Sequence, residues 1–340
     1  MPGCVVVTGT PPPDPPDARP NAAIRMTVAT LAMLFPGQGS QSVGMLTDLA
    51  TTQPEVKATF AEASAVLGRD LWALVTEGPG QALDRTENTQ PAMLAAGVAV
   101  WRCWRARGGP MPAAMAGHSL GEYSALVCAG ALGFTDAVGL VAERARLMQT
   151  AVPAGAGAMA AILGLDDERV RVVCDEQAGT EVLEAVNYNA PGQVVIAGHK
   201  AAVERGVAAA KAAGAKRAVV LAVSVPSHCA LMRDGAAELA DRLAAVPLRA
   251  PEVPVLHNAS AAPATDLDAL RQLLAQQIHS PVRWVQTVRA LVDMGIATAI
   301  EAGPGKVLTG LGKRIDKTLT TLAVFEPAGL NRALEATADA

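Results

Sequence analysis

Ala113-Ala114-Met115-Ala116-Gly117-His118-Ser119-Leu120-Gly121-Glu122 carries a short apolar run into a G-x-S-x-G pattern and out into residues of helical character. Read together, these residues predict a strand, a sharp turn and a helix, with Ser119 at the apex and its hydroxyl clear of the sheet. The flanking glycines accept the crowded backbone of such an elbow. A helix opening near Glu122 would point its unpaired N–H groups at an oxyanion forming beside Ser119, with the Leu120 N–H as the natural first donor. The competing reading is an ordinary glycine-flanked turn, since three fixed positions arise by chance.

Working outward, Val28 to Phe35 reads as a buried strand that ends at Pro36-Gly37-Gln38-Gly39-Ser40, a glycine-rich turn without P-loop or dinucleotide spacing. Helices are predicted over Glu55 to Leu67 and Gln90 to Arg107. Between Gly155 and Val223 the rhythm changes to strand Ala158–Gly164, helix Asp166–Ala178, strands Val182–Asn187 and Gln193–Gly198, helix Lys200–Gly214 and strand Arg217–Val223. That βαββαβ order is the ferredoxin-like unit. Strands at Val253–His257 and Ala297–Glu301 and helices at Asp266–Ile278 and Val285–Met294 return to the larger body. The fold expected is α/β: a large α/β-hydrolase-like domain over 27–154 and 224–340, with a small ferredoxin-like subdomain inserted at 155–223 and a cleft between them. Pro11-Pro12-Pro13, Pro15-Pro16 and Pro20 predict a disordered proline-rich tail over 1–26, without the pattern of a secretory signal.

With 51% hydrophobic residues in 340, the chain can fill a sizeable core, and 3% aromatics mean that Ala, Val, Leu and Ile must fill it. A net charge of −4 supplies no global basic field, which argues against nucleic acid and anionic membranes as partners. The longest uninterrupted apolar run, Ala92 to Trp101, falls short of the roughly 18 residues of a membrane span. Five scattered cysteines without a C-x-x-C pair predict a cytoplasmic protein with no structural metal site, and Cys229 beside His228 reads as a small buried side chain rather than a reactive thiol.

A serine nucleophile needs a base, and His118, His199, His228, His257 and His279 compete. His228 is chosen because Pro226 breaks the preceding strand and leaves the imidazole on a strand-end loop, where catalytic groups gather. His118 neighbours Ser119 on a tight turn and reads as a wall of the substrate site. A histidine in such a place is also commonly a satisfied structural residue.

The ordered set Phe35-Pro36-Gly37-Gln38-Gly39-Ser40-Gln41, Gly117-His118-Ser119-Leu120-Gly121-Glu122, Asn189-Ala190-Pro191-Gly192-Gln193, Pro226-Ser227-His228 and Glu301-Ala302-Gly303-Pro304-Gly305 resembles the malonyl-CoA:acyl carrier protein transacylase family of bacterial type II fatty acid synthesis. The likeness runs from about Thr30 to Glu326. It implies that Ser119 is acylated, that His228 is its base, oriented by the Gln277 carbonyl, and that Gln38 and Leu120 supply the oxyanion donors. It also implies that Arg144, in Glu143-Arg144-Ala145-Arg146, grips the free carboxylate of malonate, with Asn189, Gln193 and His118 lining the substrate site. The physical case for arginine is its planar pair of donors, which matches a carboxylate and leaves neutral acyl chains unrewarded. A surface helix charge is the bland alternative for Arg144, and Arg146 competes with it for the role.

The resemblance further implies malonyl-CoA and acyl carrier protein as partners, no bound cofactor, and a monomer supplying fatty acid biosynthesis. Lys216, Arg217, Lys313 and Arg314 are the candidates for a basic rim facing CoA or an acidic carrier, against a reading as solvated charges. Ser227 departs from relatives with Phe before the histidine, which leaves room for branched malonyl groups. A hydrolase using the same serine and histidine, and a carrier-binding module with a vestigial site, remain the alternatives.

Overall fold

The computed structural model describes residues 31–223 and 225–338, so the tail expected over 1–26 lies outside the described residues. Five strands form a parallel sheet: β1 Leu31–Phe35, β2 Ala114–Gly117, β7 Val255–Leu256, β8 Thr298–Ala302 and β9 Thr320–Val324, in the order β7-β2-β1-β8-β9. Every residue of β1 and β2 is buried, the mark of a parallel strand covered on both faces. Because side chains alternate, Leu31, Met33 and Phe35 enter the larger helical core, while Ala32 and Leu34 join Ala116, Leu256, Trp284 and Val288 on the other face. The core is built of Leu, Val, Ala and Met with few aromatics, as the composition required.

Chain order places the site. β1 lies between β2 and β8: the chain runs from β1 to β2 and β7 on one side and then crosses to β8 and β9 on the other, and ligands of open α/β sheets gather beyond the C-terminal strand ends where the order reverses in this way. The Gln38 loop follows β1 there, and the serine turn follows β2.

The second sheet is β3 Gly157–Leu163, β4 Leu183–Ala190, β5 Gln193–His199 and β6 Arg217–Val220, ordered β4-β5-β3-β6 with every paired neighbour antiparallel. Helices Asp167–Ala178 and Lys200–Ala212 close one face over Ile162, Val194 and Ile196, with Val170 and Val203 facing in from the helices. Met159, Val186, Val195 and Ala197 point the other way and pack on Cys229, beside the His228 loop. Tyr188 N donates to Val282 O and Val282 N to Val186 O, which ties β4 to the larger body. Strand β6 ends at Val220, short of the predicted Val223, because Leu221 and Val223 turn into the cleft.

Among the described residues no helix is long and apolar enough to cross a membrane, and no cluster of three or more His, Cys, Asp or Glu stands in metal-binding geometry. Cys103, Cys128, Cys174 and Cys229 are free and buried.

Candidate active site

Ser119 caps the turn between β2 and the helix Gly121–Cys128 with φ of 51°, a left-handed backbone that costs a residue of this kind about 1–3 kcal/mol and persists only where surroundings hold it. Space dictates both glycines of the turn. A Cβ on Gly117 would stand 1.8 Å from the Gly121 carbonyl carbon, and one on Gly121 would stand 2.0 Å from the Phe35 carbonyl oxygen.

Ser119 Oγ lies 2.7 Å from His228 Nε2, and His228 Nδ1 lies 2.8 Å from the Gln277 carbonyl oxygen. A carbonyl oxygen only accepts, so Nδ1 carries the ring proton and Nε2 is left to accept one from the serine. His228 reaches this place on a backbone of φ 68°, with its N–H donating to Ile278 O at 2.9 Å. Burial, aided by the Arg144 charge, lowers its pKa from 6.5 to about 3, while the Gln277 carbonyl works in the opposite direction. The imidazole is therefore neutral near pH 7, as a proton acceptor must be.

Arg144, in the helix Phe134–Thr150, is among the largest fully buried side chains. Its Nη1 donates to Gln90 Oε1 at 2.6 Å and its Nη2 to Gln277 Oε1 at 2.9 Å, with Nη2 also 3.5 Å from Ser119 Oγ. Both amide oxygens are neutral acceptors, and Nε is buried without a partner. A guanidinium held this way beside a nucleophile can receive an incoming carboxylate, which supplies the counter-charge that the amides lack. Arg146, its competitor, is turned outward and bonds Glu143 through Nε at 2.8 Å and Nη2 at 2.9 Å.

Gln38, Thr86, Met159, Asn187 and Val225 join Ser119 and His228 around a cleft of about 120 Å³. A roomier groove of about 500 Å³ between the helices Arg233–Ala245 and Leu267–Gln277 offers Arg233, Arg271 and His279 but no nucleophile, so size and chemistry part company here.

The family model described as the acyl transferase domain matches residues 32–332, a span that contains the elbow, Arg144, His228 and Gln277. This chain belongs to that family. A malonyl CoA-acyl carrier protein transacylase of Salmonella typhimurium is 57% identical over 303 residues, covering 89% of this chain and 98% of its own. The crystal structure of an acyl carrier protein S-malonyltransferase from Vibrio cholerae matches with a TM-score of 0.87 at 56% identity, covering 89% of this chain and 99% of its own. A malonyl-transacylase in complex with a type II PKS acyl-carrier protein matches with a TM-score of 0.89 at 55% identity, covering 90% and 99%.

In this acyltransferase Leu120 is buried at the N-cap of the helix Gly121–Cys128, and Gln38 lines the cleft while its Nε2 donates to Thr86 Oγ1 at 3.2 Å. His118 also lines the cleft, with Nε2 2.8 Å from Asn189 Oδ1; burial lowers its pKa, and the Asn189 contact opposes that shift. Asn189 thus comes to the site through His118. Gln193 does not: it opens β5, and its Oε1 accepts from Arg314, whose Nη2 lies 3.4 Å from Pro191 O. Lys216 packs on Gly164 and Arg217 begins β6, so Lys216, Arg217 and Arg314 stand outside the cleft lining.

Sequence reasoning passed over Gln90, Asn187 and Asn258, took Glu122 only as the opening of a helix, and kept His257 only as a competitor for the base. A signal existed for Asn187: in Asn187-Tyr188-Asn189 the middle residue packs against the hydrophobic cluster of the second sheet and its helices, which turns both asparagines to the cleft side. Gln90 and Asn258 carried none, because an amide in a helix or loop is ordinarily local furniture until its partners are known.

Proposed function

We propose that this chain transfers the malonyl group from malonyl-CoA to the phosphopantetheine thiol of acyl carrier protein through a malonyl ester on Ser119, and so supplies fatty acid biosynthesis. The observation that carries the reading is Arg144, a buried cation whose Nη2 lies 3.5 Å from the Ser119 hydroxyl that His228 contacts at 2.7 Å. The names of the acyltransferase's relatives support the substrate pair.

In the first half-reaction Ser119 Oγ attacks the thioester carbonyl while its proton passes to His228 Nε2. The C–S bond then breaks, and CoA leaves with that proton. In the second, the carrier thiol gives its proton to His228, its sulfur attacks the serine ester, and the Ser119 oxygen regains a proton as its C–O bond breaks. We assign the oxyanion to the backbone N–H groups of Gln38 and Leu120, each worth about 3–4 kcal/mol of barrier. A malonyl carboxylate on Arg144 offsets one of the charges that depress His228, so the arriving substrate strengthens the base.

The same proposal takes His118 and Asn189 as the substrate wall and Lys216, Arg217 and Arg314 as a rim for the phosphates of CoA or for an acidic carrier. It treats Gln193 as the residue that steadies Arg314 rather than as a substrate ligand. We read 27–154 and 224–340 as one α/β-hydrolase-like domain, supported by the strand-turn-helix at Ser119. The inserted 155–223 unit reads as ferredoxin-like, supported by its βαββαβ order. A cytoplasmic monomer without cofactor completes the reading, since no step above calls for a metal.

The test follows CoA release from malonyl-CoA with and without acyl carrier protein, alongside the intact mass. The expected result is one rapid equivalent and a malonyl adduct on the protein alone, with turnover only when the carrier is added. Ser119→Ala should show neither adduct nor turnover. Steady CoA release without carrier means a hydrolase, and no release at all means a binding module.

A further inference from the structure

The residues that hold the nucleophile come from the far end of the chain. Ser119 N–H donates to Asn258 Oδ1 at 2.7 Å, and Asn258 Nδ2 donates to Gly117 O at 2.7 Å, so one side chain grips the backbone at the apex of the turn and before it. On the other side of the serine, Gln277 Nε2 donates to Ser119 O at 2.9 Å. Both side chains end on the same carboxylate: Glu122 Oε2 accepts from Asn258 N at 2.8 Å, from Asn258 Nδ2, and from Gln277 Nε2 at 3.0 Å. His257 Nδ1 stands 2.7 Å from Glu122 Oε1. Glu122, Asn258 and Gln277 are each 0–1% exposed. Gln277 then reaches forward, with its Oε1 accepting from Arg144 Nη2 at 2.9 Å.

We propose that Asn258 is a positioning residue for Ser119, and that Glu122 anchors both Asn258 and the Gln277 arm that aims Arg144. The inference rests on the transacylase reading above. Its physical basis is the left-handed backbone of Ser119, whose N–H and C=O are tied by side chains 139 and 158 residues away in sequence. With both peptide groups of the serine tied, its Oγ is held on His228 Nε2; with Asn258 truncated, the turn can relax and the nucleophile leaves its line of attack. One Glu122 carboxyl oxygen meets both amides, so a single buried group fixes the two arms that hold the serine. The charged or titratable groups around it are His257, Arg144 beyond Gln277, and the Tyr123 ring beneath Arg144.

The experiment is rapid-quench measurement of malonyl transfer from malonyl-CoA to the full-length enzyme, per folded molecule, with thermal midpoints recorded alongside. Asn258→Ala should slow acylation about a hundredfold at unchanged KM for malonyl-CoA, the scale of a misplacement of about 1 Å. Asn258→Asp keeps an acceptor for the Ser119 N–H but sets a second carboxyl against Glu122, a pair that must share a proton. Its rate relative to wild type should therefore climb as pH falls from about 8 to about 6, whereas the Asn258→Ala ratio stays level. Glu122→Gln should lower the acylation rate and the malonyl-over-acetyl preference together. If Asn258→Ala acylates within about twofold of wild type, or if the Asn258→Asp ratio does not move with pH, the proposal is overturned. Should Asn258→Ala fail to fold, the pH ratio of Asn258→Asp decides alone. A wild-type enzyme that takes no malonyl group sinks the transacylase reading itself, a different failure visible in the same series.

Discussion

Arg144 brings a full charge to a fully buried place where its bonded oxygens belong to two amides. That arrangement favours an anionic substrate because a neutral acyl chain leaves the guanidinium half-satisfied, and a bond to a charged group is worth about 1.5–3 kcal/mol. Arg144→Ala should accordingly reduce the malonyl-to-acetyl rate ratio by about 10- to 150-fold. Gln277→Ala should reduce it less, since the backbone carbonyl that holds His228 survives the substitution. Steady-state rates with both acyl-CoAs check the pair; an unmoved ratio in Arg144→Ala means the carboxylate is gripped elsewhere. The same variant removes a charge that depresses His228, so the acid limb of its acetyl-transfer profile should shift to higher pH.

Ser119, His228 and Arg144 were legible because each sits in a short motif whose order along the chain resembles a known family. Gln193 stands in such a motif too, yet its partner is Arg314. Gln90 and Asn258 lie in stretches with no distinguishing pattern, and their partners are 54 and 139 residues away in sequence.

Among the elements, the elbow shows how closely backbone geometry and residue type are matched. Gly121→Ala drives a Cβ to 2.0 Å from Phe35 O at the end of β1, a backbone atom that cannot yield. The loss should be about 1–3 kcal/mol or more, with acylation impaired as well. Gly139, exposed on the helix Phe134–Thr150 with nothing within 4 Å of its virtual Cβ, should gain about 0.5–1 kcal/mol when changed to Ala. Thermal midpoints of the two variants should thus move in opposite directions.

Alternation and apolar runs revealed most strands and several of the helices because those patterns are local, and the βαββαβ order from β3 to β6 was read element by element. Ends were less legible. The helix expected from Gln90 begins at Thr86, since Pro91 looks like a helix's first turn yet sits inside it. Strand β9 and the helices Phe134–Thr150, Arg233–Ala245 and Val307–Ile315 were among those that escaped notice, because their burial depends on neighbours distant in the chain.

For the molecule as a whole, two histidines of the cleft link function to acid stability. His118 and His228 both have folded-state pKa values lowered first of all by burial, His228 from 6.5 to about 3. Below pH 6.5 the unfolded chain takes up protons at these residues before the folded protein does, so the stability tied to His228 is complete above that pH and declines as pH falls toward about 3, with His118 acting in the same direction. The thermal midpoint of wild type should drop across that window, and His228→Gln should flatten part of the slope. An equally steep slope in both proteins would show that other groups govern it.

Local chemistry was enough to give a strand-turn-helix around Ser119 and an α/β pattern with a βαββαβ run, because turns and alternation are written in neighbouring residues, while motif order gave the family resemblance that singled out Arg144. Tertiary structure alone turned Arg144 inward and Arg146 outward, set His228 on the serine, and joined Asn258, Gln277 and Glu122 beneath them. Those outcomes depend on which distant side chains share a buried volume, where a charge or an amide must find its partner among whatever the fold delivers.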